Sequence, residues 1–382
     1  MTNLSDLPLR DDLVGQQPYG APQAAVPVAL NVNENSHGIP EDVAHDIVAR
    51  VAAAVLSVNR YPDREFTELR ESFARYLGHG LDAANIWAAN GSNEVLQHIL
   101  QAFGGPGRTL LSFTPTYSMY PLLASGTGTE WIGVPRGADY TISPEDAAAA
   151  VREHQPNIIF LCSPNNPTGT PLPLAVIEAV YEASQYDDGA AIVVVDEAYA
   201  EFSPEGTPSA LGLLPGRPRL LVSRTMSKAF AFAGARVGYL AADPAVTDAL
   251  RLVRLPYHLS AFTQAAANAA LAHSAEMLGM VGEIRVQRDR LVRELGALGY
   301  EPYESASNFV LFGGVADPHA VFEALLARGI LIREVSLPGQ MRVTAGTEAE
   351  TTAFLTALAE IGPDGRGSGG PGGAASQAPG GE

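Results

Sequence analysis

Cysteine is nearly absent: Cys162 is the only one in 382 residues. No disulfide can close within the chain, a zinc site built on cysteines is set aside, and a reducing compartment is expected. Basic residues are scarce, 24 against 42 acidic ones, and the formal net charge is -18. Nucleic acid would call for a clustered basic face, so the charge argues against that class of partner. A small anion is not, because a few convergent arginines set a local field whatever the total. No apolar run reaches the ~18 residues of a membrane span. Met1 to Gln17 holds no apolar stretch of the kind a secretory signal needs, so a cytoplasmic protein without membrane contact is expected. A G-x-x-x-x-G-K-[ST] phosphate loop is missing, which removes the commonest nucleotide site. The last stretch, 363–382, is rich in Gly, Pro and Ser with almost nothing to bury, and reads as disordered.

What is present is apolar content, 46% of residues, over a length that allows two or three domains. Residues 1–35 read as an irregular arm, kept from helix by Pro8, Pro18, Pro22 and Pro27. A helix from Pro40 follows, with Ile47, Val48, Val51, Val55 and Leu56 on its apolar side. From about residue 86 to about residue 255, short apolar runs alternate with helical patterns. The strand-like runs are 109–113, 131–134, 158–162, 192–195, 220–222 and 237–241; the helical ones are 93–103, 117–124, 144–152, 174–185 and 244–253. This alternation predicts a mostly parallel sheet covered on both faces, with ligands at the carboxyl ends of its strands. Residues 262–298 read as a long helix with a break near His273, and the remainder as an α+β unit with strands at 308–312, 330–334 and 341–344.

Most of the chemistry-bearing groups fall just after strand-like runs. Ser223-Arg224-Thr225-Met226-Ser227-Lys228 sets one lysine in a hydroxyl-rich turn, with Arg236 eight residues on. A lysine that carries a covalent adduct needs such a setting, near groups that hold a phosphate and away from bulk water; a solvated loop lysine is the plainer alternative. Val193-Val194-Val195 run straight into Asp196, and a buried carboxylate there needs a partner, such as a protonated ring nitrogen. Tyr199 lies three residues on. Ser163-Pro164-Asn165-Asn166-Pro167-Thr168-Gly169 is a stiff turn able to fix an amide. Ser92 and Asn93 open a helix, which is either an anion site or an ordinary cap. Tyr117 stands at a strand-to-helix corner, where it could stack on a planar ring or simply pack. Arg342, between apolar neighbours, is a candidate for bidentate carboxylate binding, and Arg333 is a second candidate.

Together, S-P-N-N-P-T-G, V-V-D-E-A-Y and R-T-x-S-K-A-F…G-x-R-x-G resemble the fold type I pyridoxal-phosphate aminotransferases. The early N-x-N-E-N, the R-Y-P-D and the late R-V-T-x-G-T favour the histidinol-phosphate branch of that family. The resemblance covers the chain from about Tyr19 to Ile361. It implies an α/β fold: a large domain with a mostly parallel central sheet between helices, plus a smaller α+β domain. The corresponding division is an arm at 1–35, a small domain at 36–60 and 275–362, a large domain binding pyridoxal 5'-phosphate at 61–274, and the tail at 363–382. It implies that Lys228 forms the internal Schiff base and then acts as the base, that Asp196 pairs with the pyridinium nitrogen, and that Asn166 and Tyr199 bond the phenolic oxygen. Ser92, Asn93, Thr225, Ser227 and Arg236 would hold the phosphate, and Tyr117 would stack on the ring. Tyr61 would reach the neighbouring chain's cofactor, so a homodimer with shared sites is expected. Arg342 would clamp the α-carboxylate of glutamate, with Tyr19, Tyr257 and Arg333 recognising the rest of the substrate. The implied reaction moves an amino group between L-histidinol phosphate and 2-oxoglutarate. An aromatic amino acid aminotransferase and an amino-acid-phosphate decarboxylase share the scaffold. An aminotransferase-like regulator would need a basic DNA-binding module, which the arm does not offer.

Overall fold

The computed structural model describes residue 3, residues 6–15, residue 20 and residues 22–365. Tyr19 lies outside the described residues, as does the tail from residue 366. Seven strands form the larger sheet: β1 (Ile86–Ala89), β2 (Thr109–Thr114), β3 (Glu130–Pro135), β4 (Ile158–Cys162), β5 (Ile192–Asp196), β6 (Leu220–Thr225) and β7 (Gly238–Ala241). Their order is β1-β7-β6-β5-β4-β2-β3. Strands β2 to β6 run parallel where they pair, while β7 is antiparallel to both its neighbours. The central strands are apolar almost without interruption, IIFLC in β4 and IVVVD in β5, because both faces are covered.

Helices α1 (Glu41–Val55), α2 (Thr67–Leu77), α3 (Ser92–Phe103), α4 (Met119–Thr127), α5 (Pro144–His154), α6 (Leu174–Ala183), α7 (Pro244–Val253) and α8 (Ala261–Ala272) accompany this sheet. Local chemistry starts several of them. Ser143 accepts from the Asp146 N–H with Pro144 at the first helical position, and Asp243 and Ser260 cap α7 and α8 in the same manner. The long helix expected at 262–298 is two, α8 and α9 (Ser274–Ala297), parted at His273. A four-stranded antiparallel sheet follows, in the order β8 (Glu301–Pro302), β9 (Phe309–Gly313), β11 (Met341–Thr344), β10 (Arg333–Glu334). Helices α10 (Pro318–Leu326) and α11 (Glu348–Ile361) accompany it, and a reciprocal Thr347–Glu350 capping box starts α11.

Three departures from the sequence reading have physical causes. The stretch 330–334 is not one strand. Ile330–Leu331 pairs in parallel with Val28–Ala29 of the arm, while Arg333 and Glu334 pair with β11, so the chain changes sheets at Ile332. Strand β7 is antiparallel because the link from Thr225 to Gly238 contains no helix, and a parallel return needs a crossover. In α1 only Val43 is buried, whereas Val48, Val55 and Leu56 of its apolar side are exposed in the single chain.

Candidate active site

The carboxyl ends of β4, β5 and β6 meet in register, with Cys162 beside Asp196 and Asp196 beside Ser223. The antiparallel β7 begins at this same edge, which brings Arg236 there although it precedes its strand. Above this edge lies a cavity of about 910 Å³, lined by Ser92, Asn93, Tyr117, Asn166, Asp196, Tyr199, Thr225, Ser227, Lys228, Arg236, Arg333 and Arg342. Of the residues singled out in the sequence, Tyr61 and Tyr257 are not brought there. They stack on each other outside it, ring centroids 4.4 Å apart.

Asp196, at the end of β5, is buried. Its Oδ2 accepts from the Tyr120 hydroxyl at 2.8 Å, and its Oδ1 has no hydrogen-bond partner. Burial pushes its pKa up to about 6, opposed first by the Tyr120 bond and then by the Ala198 N–H. A buried carboxylate oxygen without a donor is a costly state, and a protonated nitrogen would relieve it.

Lys228 lines the cavity. Its Nζ donates to the Val32 carbonyl at 3.0 Å. Burial, then the nearby Arg342, lowers its pKa to about 8, with Glu34 opposing. A lysine so placed is neutral in a usable fraction near neutral pH and can act as nucleophile or base.

Around it, the two asparagines of the stiff turn divide their work. Asn165 bonds the Pro115 carbonyl (3.1 Å) and Thr168 Oγ1 (2.8 Å), and accepts from Thr116, stitching the turn to the corner that carries Tyr117. Asn166 faces the cavity, donating to the Tyr199 hydroxyl (3.4 Å) and accepting from Arg342 (2.6 Å). Arg342 also donates to the Asn31 carbonyl at 2.7 Å and lies over the Phe309 ring. Arg333 stands directly opposite Arg342 across the β10–β11 pair. Like charges so opposed are unfavourable unless anions lie between them.

The start of α3 has no side-chain cap, so the N–H groups of Ser92 and Asn93 are left for a ligand. Two glycines make this corner possible. A Cβ on Gly91, whose φ is +89°, would meet the Arg236 guanidinium at 2.5 Å. One on Gly238 would meet the Gly91–Ser92 backbone at 2.2 Å. Thr225 and Ser227 hydroxyls bond each other at 3.0 Å beside these donors. The corner thus offers N–H groups, hydroxyls and a cation, which suits a phosphate.

Sequence spacing missed several contributors. Asn33, at a positive φ of 57°, donates to the Tyr199 hydroxyl (3.0 Å), and with Val32 and Glu34 it makes the arm a wall of the cavity. Arg224, within the lysine motif, bonds buried Glu197 (2.7 Å) and Glu201 (3.4 Å), tying the segment after β5 to β6. Tyr120 carries no sequence signal beyond helical periodicity. One signal was there to be counted: Lys228 is the only lysine of the chain.

The sequence profile of the family described as aminotransferase class I and II matches residues 26–358. The chain belongs to this family. It is 65% identical over 358 residues to a histidinol-phosphate aminotransferase of Paenarthrobacter aurescens, covering 94% of this chain and 96% of that protein. A histidinol-phosphate aminotransferase of Thermobifida fusca is 58% identical over 356 residues, covering 93% of this chain and 96% of that protein. Among solved structures, the fold of this aminotransferase is similar to that of histidinol-phosphate aminotransferase from Sinorhizobium meliloti in complex with pyridoxal-5'-phosphate. There the TM-score is 0.77 at 28% identity, over 88% of this chain and 90% of that one.

Proposed function

We propose that this aminotransferase uses pyridoxal 5'-phosphate to move an amino group between L-histidinol phosphate and 2-oxoglutarate, giving imidazole-acetol phosphate and L-glutamate in histidine biosynthesis. The names of its relatives support histidinol phosphate as the donor, and the observation that carries the pair is the opposed Arg333 and Arg342 lining one cavity. The substrates alternate between an organic phosphate and a dicarboxylate, and two arginines able to take either anion suit both.

The residues present fit the cofactor. Asp196 Oδ1 lacks a donor that a protonated ring nitrogen supplies, and the uncapped start of α3 with Thr225, Ser227 and Arg236 suits its phosphate. Bound here, pyridoxal 5'-phosphate supplies an aldehyde for the amino group and a ring that draws electrons from the carbon bearing it. In our reading Lys228 carries the cofactor at rest and then moves the proton at that carbon. Asp196 would keep the proton on the ring nitrogen. Asn166 and Tyr199 would donate toward the phenolic oxygen, Tyr117 would cover the ring, and Arg342 would take the α-carboxylate of glutamate. We take the residues around the larger sheet, 61–274, as the cofactor-binding domain.

The Arg333 side chain makes no hydrogen bond or ion pair among the described residues, and we assign it the phosphate end of histidinol phosphate. Arg333→Gln should lower kcat/KM for histidinol phosphate by about 10- to 100-fold, the worth of hydrogen bonds to a charged group. Phenylalanine as donor should change less than about three-fold. Steady-state assays with both donors decide this, and an equal loss for the two would remove the assignment.

We further propose a homodimer. Leu56 (87%), Leu252 (86%), Tyr61 (79%) and Leu255 (77%) are large apolar or aromatic side chains exposed in the single chain, which a second chain would cover. On this reading Tyr61, stacked with Tyr257, reaches the second chain's site. Light scattering should return the mass of two chains; the mass of one would contradict it.

A further inference from the structure

We propose that Tyr120 is a positioning residue for Asp196: its hydroxyl bonds Oδ2, fixes Oδ1 as the oxygen that faces the cavity, and keeps the carboxylate an anion. The inference rests on the reading of Asp196 as the partner of the cofactor's ring nitrogen, and adds a residue that touches neither cofactor nor substrate.

Geometry carries the argument. Tyr120, in the first turn of α4, has no exposed surface. Its ring meets Phe160 of β4 edge-on at 5.1 Å and Tyr117 at 5.6 Å, so the hydroxyl is held in place. That hydroxyl is 2.8 Å from Asp196 Oδ2, while Oδ1 has no hydrogen-bond partner. One oxygen is therefore consumed by the protein and the other is left for a ligand.

The charged and titratable neighbours explain why a hydroxyl matters here. Cys162 of β4 lies beside Asp196 as a neutral thiol, its pKa pushed up to about 12 by burial and by the aspartate. Glu197, next along the chain, raises the Asp196 pKa further. Arg136 faces Tyr120 and Cys162, but its guanidinium is spent on the Phe113 (3.0 Å) and Tyr140 (3.2 Å) carbonyls. Tyr120 itself is kept protonated by burial and by Asp196, so it remains a donor. No cation lowers the Asp196 pKa; the Tyr120 hydroxyl and the Ala198 N–H are what oppose the cost of burying it. With the hydroxyl gone, the carboxylate takes up a proton at higher pH, and a neutral acid cannot hold the proton on a ring nitrogen.

The test measures pyridoxal 5'-phosphate binding to the apoprotein by equilibrium dialysis, from about pH 5 to about pH 9, in four proteins. These are wild type, Tyr120→Phe, Asp196→Asn and the double variant. Wild-type affinity should fall as pH drops through the Asp196 midpoint. Tyr120→Phe should move that fall up by about one pH unit and weaken binding about ten-fold on its slope. Asp196→Asn should weaken binding and remove the fall centred on the Asp196 midpoint, leaving only the dependence that Lys228, with its pKa of about 8, adds to all four proteins, and adding Tyr120→Phe to it should change affinity less than about two-fold. An unshifted fall in Tyr120→Phe, or an equal weakening with and without Asp196, would overturn the positioning role. Wild-type binding by Asp196→Asn, with its fall intact, would instead overturn the reading of Asp196. Because Phe fills the same space but removes a donor to a buried carboxylate, the thermal melt of the Tyr120→Phe apoprotein should drop by only a few degrees, and a larger drop together with additive weakening counts against the proposal.

Discussion

Lys228→Ala should reduce amino transfer by about 10⁴-fold or more, the loss expected when the group that moves the proton is removed. The variant also removes the covalent anchor. Since Lys228 is the only lysine, the altered chain has no side-chain amine at all. Borohydride treatment of the wild-type holoenzyme should leave one cofactor fixed per chain, on the peptide containing residue 228, and none on a side chain of the variant. Activity within ten-fold of wild type would contradict the assignment.

A second readout needs no cofactor. The lysine pKa in the folded apoprotein is lowered from 10.5 to about 8. Below pH ~8 the amine is protonated in both folded and unfolded states, and the full cost of burying the charge is present. Between there and the unfolded value the unfolded chain binds more protons, so stability rises with pH across that window. Lys228→Ala should flatten this rise, which denaturant titration of the two apoproteins at each pH would detect.

Arg342→Lys should lower kcat/KM for glutamate by about 100-fold, within the range for truncating one partner of a buried charged contact. The substitution keeps a charge but not a fork. Arg342 holds Asn166 and the Asn31 carbonyl at once, which a lysine's single nitrogen cannot reproduce while also meeting both oxygens of a carboxylate. The effect should divide by half-reaction. Glutamate carries the α-carboxylate that Arg342 is proposed to clamp, whereas histidinol phosphate has none, so single-turnover amino transfer from histidinol phosphate should suffer less. Equal losses in both half-reactions would mean that Arg342 acts through Asn166 rather than on the substrate.

The groups that were legible in the sequence are those that hang on strand ends. An apolar run that stops at a polar residue announces itself, and so Asp196, Asn166 and Lys228 could be named and their gathering at one sheet edge expected from the alternation of strand and helix. Arg236 was legible only as part of the lysine motif; it precedes its strand, and reaches the edge because that strand runs backwards, which the alternation of strand and helix does not show. What was not legible depends on contacts between distant segments. Tyr120 is buried against Asp196, 76 residues away, and nothing local distinguishes it from any inward-facing helix residue. Asn33 meets Tyr199 only because the arm pairs at Val28–Ala29 with Ile330–Leu331 and is thereby drawn across the cavity. The outward apolar side of α1 misled for the opposite reason, since periodicity reports that a face is apolar and not which neighbour covers it.

The reading as a whole turns on the amino donor. Purified holoenzyme, given 2-oxoglutarate and either L-histidinol phosphate or L-phenylalanine, should form glutamate from both, with kcat/KM higher for histidinol phosphate by about 100-fold. It should release no carbon dioxide. A preference for phenylalanine, or carbon dioxide in place of glutamate, would contradict the account.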